Sequence, residues 1–165
     1  MLKPRISKVT VNIAVGKSGE PLEKAEKILH QLTGEKPVKR LAKKTVRDFG
    51  IRKSEPIACI VTLRKAKAVE FLARVLQAVD NKISKTCFDK NGNFSFGIKE
   101  HIQIPGTKYV PDLGIFGMDV AVSLSRAGYR VKERRRTKSP VGKTHLLTPE
   151  EAAIFVKDTL GVEIA

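Results

Sequence analysis

Residues 8–16, KVTVNIAVG, alternate without a break. Val9, Val11, Ile13 and Val15 are apolar, while Lys8, Thr10, Asn12 and Ala14 between them are polar or small. An extended strand with one face buried and the other open places side chains this way, because successive residues point to opposite sides. The period then changes. Pro21 suits a first helical turn, Leu22, Ala25, Leu29 and Leu32 recur at helical spacing, and Gly34 is a suitable cap. Alternation returns in IACIVTLR, residues 57–64, with Ile57, Cys59, Val61 and Leu63 on one side and Thr62 and Arg64 on the other. A second helix is predicted over 67–79, with Phe71, Leu72, Val75, Leu76 and Val79 as its apolar side. Two more strands are predicted near 93–104 and 117–125. In the latter, Met118, Val120, Val122 and Leu124 face inward and Asp119, Ala121, Ser123 and Ser125 outward. Thr148, Pro149 and Glu151 form a capping box that opens a last helix, which Gly161 closes. The sum is a two-layer α+β fold, an antiparallel-rich sheet with helices packed on one face and a polar face left open. No repeat, low-complexity tract or Gly/Ser linker divides residues 1–165, so one domain is expected, with basic loops at 40–56 and 126–147.

Charge narrows the partners. Lys and Arg number 32 against 17 acidic residues, a net charge of +15. Residues 1–64 carry 15 basic and 6 acidic side chains, 126–143 carry 8 and 1, and 144–165 carry 1 and 4. Clustering of this kind points to a polyanionic partner, with nucleic acid foremost. No apolar run approaches the roughly 20 residues of a transmembrane helix, and no signal-peptide pattern opens the chain, so a cytoplasmic protein with no membrane partner is expected. Cys59 and Cys87 are expected to be small buried hydrophobes in a reducing compartment.

Enzyme readings fare poorly. Gly16, Lys17 and Ser18 resemble the end of a phosphate-binding loop, but Val11 stands where its first glycine belongs, and Gly142, Lys143 and Thr144 fail likewise at Thr137. His30, His101 and His145 show no zinc spacing with the cysteines, and adjacent Glu100 and His101 in a strand would face opposite sides. The histidines read as surface polar groups, and no cofactor, metal or small-molecule substrate is expected. Single-strand binders stack bases on sheet aromatics, yet this chain has no Trp and only 5% aromatics. Folded RNA recognised by shape and phosphate contacts fits better. Two alternatives are a basic chromatin-type DNA binder and an RNA-modifying enzyme whose site is not recognised.

KVTVNIAVGKSG, LTGEKPV, AKKTVRDFGIRKSEPI, VTLR, FDKNGNFSFGIKEH, GIFGMDV and TPEEA occur in this order. Together they resemble the large-subunit ribosomal protein family L-five, called L-eleven in eukaryotes, from residue 8 almost to the C-terminus. RAGYRVKERRRTKSPVGKTHLLT is similar to the archaeal and eukaryotic forms and absent from bacterial ones.

The resemblance implies a non-enzymatic protein of the ribosome that attaches 5S rRNA in the central protuberance. It implies 5S rRNA contacts on the polar sheet face and adjoining turns, at Asn12, Glu35 and Thr62, with Lys8, Thr10, Lys36 and Arg64 beside them. The family more often has glutamine at the position of Glu35, whose carboxylate cannot donate a hydrogen bond and repels phosphate. Relatives often carry a longer polar leader than MLKPRI, so no contact from such a leader is expected. The loop matching residues 42–55 would project toward the elbow of P-site tRNA. There Lys43, Lys44, Arg47, Arg52 and Lys53 would meet phosphates, with Phe49 and Gly50 shaping the tip. Arg134, Arg135 and Arg136 fall in the second basic zone, expected to thread against 23S rRNA and, with nothing in it to build a core, to be disordered alone. PGTKYVPDLGIF, residues 105–116, matches the region offered to a small-subunit head protein as an intersubunit bridge. Neighbouring large-subunit proteins complete the implied partners.

Overall fold

The structure, a computed structural model, describes residues 2–164. The predicted alternation is β1 (Arg5–Ala14), which begins ahead of Lys8. Val9, Val11 and Ile13 are buried, whereas Lys8, Thr10 and Asn12 are half-exposed. The remaining order is α1 (Glu20–Thr33), β2 (Val38–Leu41), β3 (Pro56–Leu63), α2 (Lys65–Gln77), β4 (Lys82–Ile83), β5 (Phe94–Ile98), β6 (Met118–Ser125), α3 (Arg130–Glu133), α4 (Pro149–Leu160) and β7 (Glu163–Ile164). The fold is α+β: five strands form an antiparallel sheet in the order β2-β3-β1-β6-β5, and β4 pairs with β7. The chain divides into two compact units, with β1, β5 and β6 each giving residues to both.

One unit comprises Thr10–Leu63 and Gly97–Val120. In it α1 lies against β3, burying Leu22, Ala25, Ile28, Leu29 and Leu32. Gly34 ends α1 in the left-handed conformation, its N–H donating to the His30 carbonyl. The antiparallel register of β2 on β3 sets Val38 opposite Ile60 and Arg40 opposite Ala58. β2 went unpredicted because its four residues, VKRL, are all exposed and carry no apolar face. The strand predicted over 93–104 ends at Ile98. Beyond it, His101–Gln103 turn as a 3-10 helix, and the His101 N–H donates to the Phe116 carbonyl. Gly117 permits this closure, since a Cβ there would stand 3.0 Å from the Lys99 carbonyl oxygen. His101 is therefore buried, not a surface group. The Phe116 N–H donates to its Nδ1, which fixes the Nε2–H tautomer, and burial lowers its pKa and keeps it neutral.

The other unit holds residues up to Val9, Arg64–Phe96 and Ala121 onward. α2 starts at Lys65 and stops at Gln77, so Val79 belongs to the turn that follows and is half-buried. Phe71, Leu72, Val75 and Leu76 are buried as the periodicity requires. The capping box of α4 is complete, with Thr148 Oγ1 accepting from the Glu151 N–H and Glu151 accepting from the Thr148 N–H. Residues 126–143 do contribute to a core, contrary to expectation. Arg126 and Tyr129 are buried, and Leu147 just beyond is buried with them. Tyr129 Oη donates to the His145 carbonyl and accepts from the Leu147 N–H, while His145 Nε2 pairs with the Ala127 carbonyl. These bonds close the neck of a basic arm. Ser125, predicted to face outward, is also buried, because β6 runs into this neck. Cys59 is buried as expected, whereas Cys87 is only half-buried.

Candidate nucleic-acid interface

In the unit formed by Thr10–Leu63 and Gly97–Val120, the outward side chains of β1 and β3 include Thr10, Asn12 and Thr62. Among the described residues, neither the Asn12 amide nor the Thr62 hydroxyl has a hydrogen-bond partner within the chain. Each keeps its donors and acceptors for something else. Beside them, Glu35, Lys36 and Thr62 line one open depression together with Val38, Arg40 and Ile60. Three residues singled out from sequence thus share a surface. Arg40 is an addition: it stands outward on β2, and the signal for it was only its place beside a basic run. The turn that presents Glu35 is held locally, since its N–H donates to Thr33 Oγ1 and its carbonyl pairs with His30 Nδ1. The α1 cap therefore sets where Glu35 and Lys36 emerge.

Residues 42–55 form a hairpin, not a slack loop. Val46 and Ile51 exchange backbone hydrogen bonds at 2.9 and 3.1 Å, and Ala42 bonds Glu55 and Ser54 at the base. Gly50 takes φ 66°, and its N–H donates to the Arg47 carbonyl, which tightens the tip. Glu55 pins the base, accepting from Ser18 Oγ at 2.6 Å and from the Arg52 N–H at 2.9 Å. The Ser18 hydroxyl, with the Arg52 N–H, holds its carboxyl below the usual value. Lys43, Lys44, Arg47, Arg52 and Lys53 are all exposed and, among the described residues, form no ion pair. Phe49 at the tip is 73% exposed. Tyr109 and Ile115, within 105–116, are exposed apolar side chains of the same unit.

In the other unit, Lys8 stands half-exposed on β1 and Arg64 is exposed at the start of α2. Arg134 is partly committed: its Nε donates to the Thr137 carbonyl at 2.8 Å and shapes the arm's turn. Arg135 and Arg136 are exposed. Behind the arm, Arg126 donates to Glu151 Oε1 at 2.8 Å and to the carbonyls of His145 and Leu146. Its charge braces the neck and is unavailable to a partner. Among the described residues no group of His, Cys, Asp and Glu could hold a metal, and no helix is long and apolar enough to cross a membrane.

An open sheet face with uncommitted amide and hydroxyl groups, bordered by unpaired cations on ordered turns, defines a binding protein for a polyanionic surface. The chain belongs to the ribosomal protein L5 family: the model described as "Ribosomal protein L5" matches residues 1–52, and the model of that ribosomal family's C-terminus matches 56–154. It is similar to the "Large ribosomal subunit protein uL5" of Pyrobaculum aerophilum, 58% identical over 96% of this chain and 89% of that one. The protein of that name from Sulfurisphaera tokodaii is 54% identical over 99% and 93%, and that from Methanosphaera stadtmanae 49% identical over 99% and 98%.

Proposed function

We propose that this chain, an archaeal-type structural constituent of the large ribosomal subunit, attaches 5S rRNA through the open polar face of β1 and β3. The observation that carries the reading is the pair of uncommitted polar groups, Asn12 and Thr62, beside the depression lined by Glu35, Lys36 and Arg40. Short amides and hydroxyls reach ribose hydroxyls and base edges in a shallow RNA minor groove, where large aromatics would stand the partner off. Thr10 extends this set along β1, and in the other unit Lys8 and Arg64 supply further rRNA contacts. The hairpin at 42–55 serves a different RNA: its five exposed cations, on a rigid stalk tipped by Phe49, suit the backbone of P-site tRNA. Arg135 and Arg136 on the arm, with the remaining charge of Arg134, neutralise 23S rRNA phosphates. The exposed Tyr109 and Ile115 give residues 105–116 the apolar contacts for a small-subunit head protein.

Affinity for 5S rRNA, measured at fixed salt, tests the sheet face. Asn12→Ala and Thr62→Ala should each weaken binding by about 1 to 3 kcal/mol, the cost of leaving a buried partner group unpaired. Both side chains point away from the core, so thermal melting should not move. Wild-type affinity in both variants would overturn the assignment.

A further inference from the structure

A cavity of about 180 Å³ lies between β1, β6, the turn at 89–93 and the base of the basic arm, all within one unit. It is smaller than the roughly 300–1,000 Å³ of pockets that hold cofactor-sized ligands. One wall is apolar, made by the buried Tyr129 and Leu147. Ser123, Ser125 and Asn93 add polar groups to the lining. Ser125 is 9% exposed, yet among the described residues its hydroxyl has no hydrogen-bond partner. Its oxygen is not sealed off, so on the cavity lining it stays open and keeps its donor and acceptor for a ligand. Asn93 is held rigidly: its Oδ1 accepts from the Leu124 N–H and its Nδ2 donates to Asp89 Oδ2. One amide hydrogen is left over. Lys8 and Lys132 also line the cavity, and the Lys132 ammonium sits 4.2 Å from the Tyr129 ring centroid.

We infer that this cavity receives the base of a single unpaired, unstacked nucleotide of the RNA bound on the sheet. An anion alone would want donors only, whereas serine hydroxyls offer both donors and acceptors, as base edges do. Glu133 on the lining also disfavours a bare phosphate. The apolar wall takes the face of the ring, and Lys8 and Lys132 meet the flanking phosphates. The inference rests on the RNA-binding reading above but is tested apart from it. The full chain is titrated with adenosine, guanosine, cytidine and uridine 5′-monophosphates, and separately with inorganic phosphate, while NMR follows the Asn93 side-chain amide. At least one nucleotide should shift that amide and phosphate should not. Ser123→Leu, which fills the cavity without changing charge, should abolish the shift, and Ser125→Ala, which removes only the hydroxyl, should weaken it about threefold. Asn12→Ala should leave it intact. On 5S rRNA, Ser123→Leu should lose affinity about tenfold, or about 1.4 kcal/mol, with an unchanged salt slope. No shift with any nucleotide, an equal shift with phosphate, or wild-type 5S affinity in a folded Ser123→Leu variant would each overturn the cavity's role. The Asn12 and Thr62 variants report on the sheet face independently.

Discussion

Glu151→Ala should be among the damaging single substitutions outside the apolar core, because two interactions end on that carboxylate, one from Arg126 and one from the Thr148 N–H. Arg126 is 5% exposed and donates Nη2 to Glu151 Oε1 at 2.8 Å, while Nη1 reaches the His145 and Leu146 carbonyls at 3.3 and 3.2 Å. Its Nε is buried and, among the described residues, has no partner, so the guanidinium has little to spare. Glu151 also completes the α4 capping box. Losing its half of the box costs about 1 kcal/mol, and losing a hydrogen bond between charged groups about 1.5 to 3 kcal/mol. The Glu151 side chain is 45% exposed, so water takes over part of its role toward Arg126 and the lower half of that range applies. The expected total is about 2 to 3 kcal/mol, read from urea unfolding followed by circular dichroism. Glu151→Gln retains the cap and a neutral acceptor and should cost only about 1 kcal/mol. The Thr148 N–H first, then Arg126, lowers the Glu151 pKa below its ordinary 4.5. A depressed carboxyl stabilises the fold above 4.5, and that contribution disappears as pH falls through the folded value. The Gln variant should therefore lose less stability than wild type on acidification below 4.5. An Ala variant within about 0.5 kcal/mol of wild type, or Gln as harmful as Ala, would refute the reasoning.

Lys44, Arg47 and Arg52 changed together to Ala should leave the 5S rRNA salt slope unaltered while loosening P-site tRNA on assembled ribosomes. Had they met duplex phosphates of 5S rRNA, the slope of log affinity on log salt would flatten by about 0.9 per contact. Gly92→Ala should destabilise by about 2 to 4 kcal/mol in the same urea assay, since φ is left-handed and the new Cβ would lie 3.0 Å from Ala152 and Leu147. Gly106→Ala is the control: φ is again positive but nothing lies within 4 Å, so only the backbone cost, about 1 kcal/mol, should appear.

Long periodic segments were readable from the sequence because one face of each is buried. β1, α1, α2 and β6 carry their predicted apolar sides inward, apart from Val15 and Val79, which fall just past the ends of β1 and α2 and are half-buried. Short elements were not, for reasons visible in their residues. VKRL of β2 has no buried face, and β4 and β7 are two residues each, too brief to show a period. The strand end at Ile98 depends on Phe116 and Gly117, eighteen or more positions away in the chain, so no local pattern announces it. At the interface, alternation alone put Asn12 and Thr62 outward. The share of Glu35, Lys36 and Arg40 in one depression required β2 to pair with β3. Charge density marked the arm but hid its neck, because a buried arginine is spelled like an exposed one. Arg126 departs from the basic run only through Glu151, which lies 25 positions further on.

The closed neck has a consequence for how this chain can vary. Arg126, Tyr129 and His145 join the two ends of the arm to α4 and to each other, so residues 134–142 contribute no buried side chain between those ends. Stretching a loop whose ends are already fixed is cheap: doubling its length costs only about 0.6 kcal/mol of closure entropy. Insertions and deletions beyond the neck are nearly invisible to folding. Arm length is thereby freed to follow the contour of whatever surface it lies on, and a chain cut at the arm's tip would still hold both fragments through the neck.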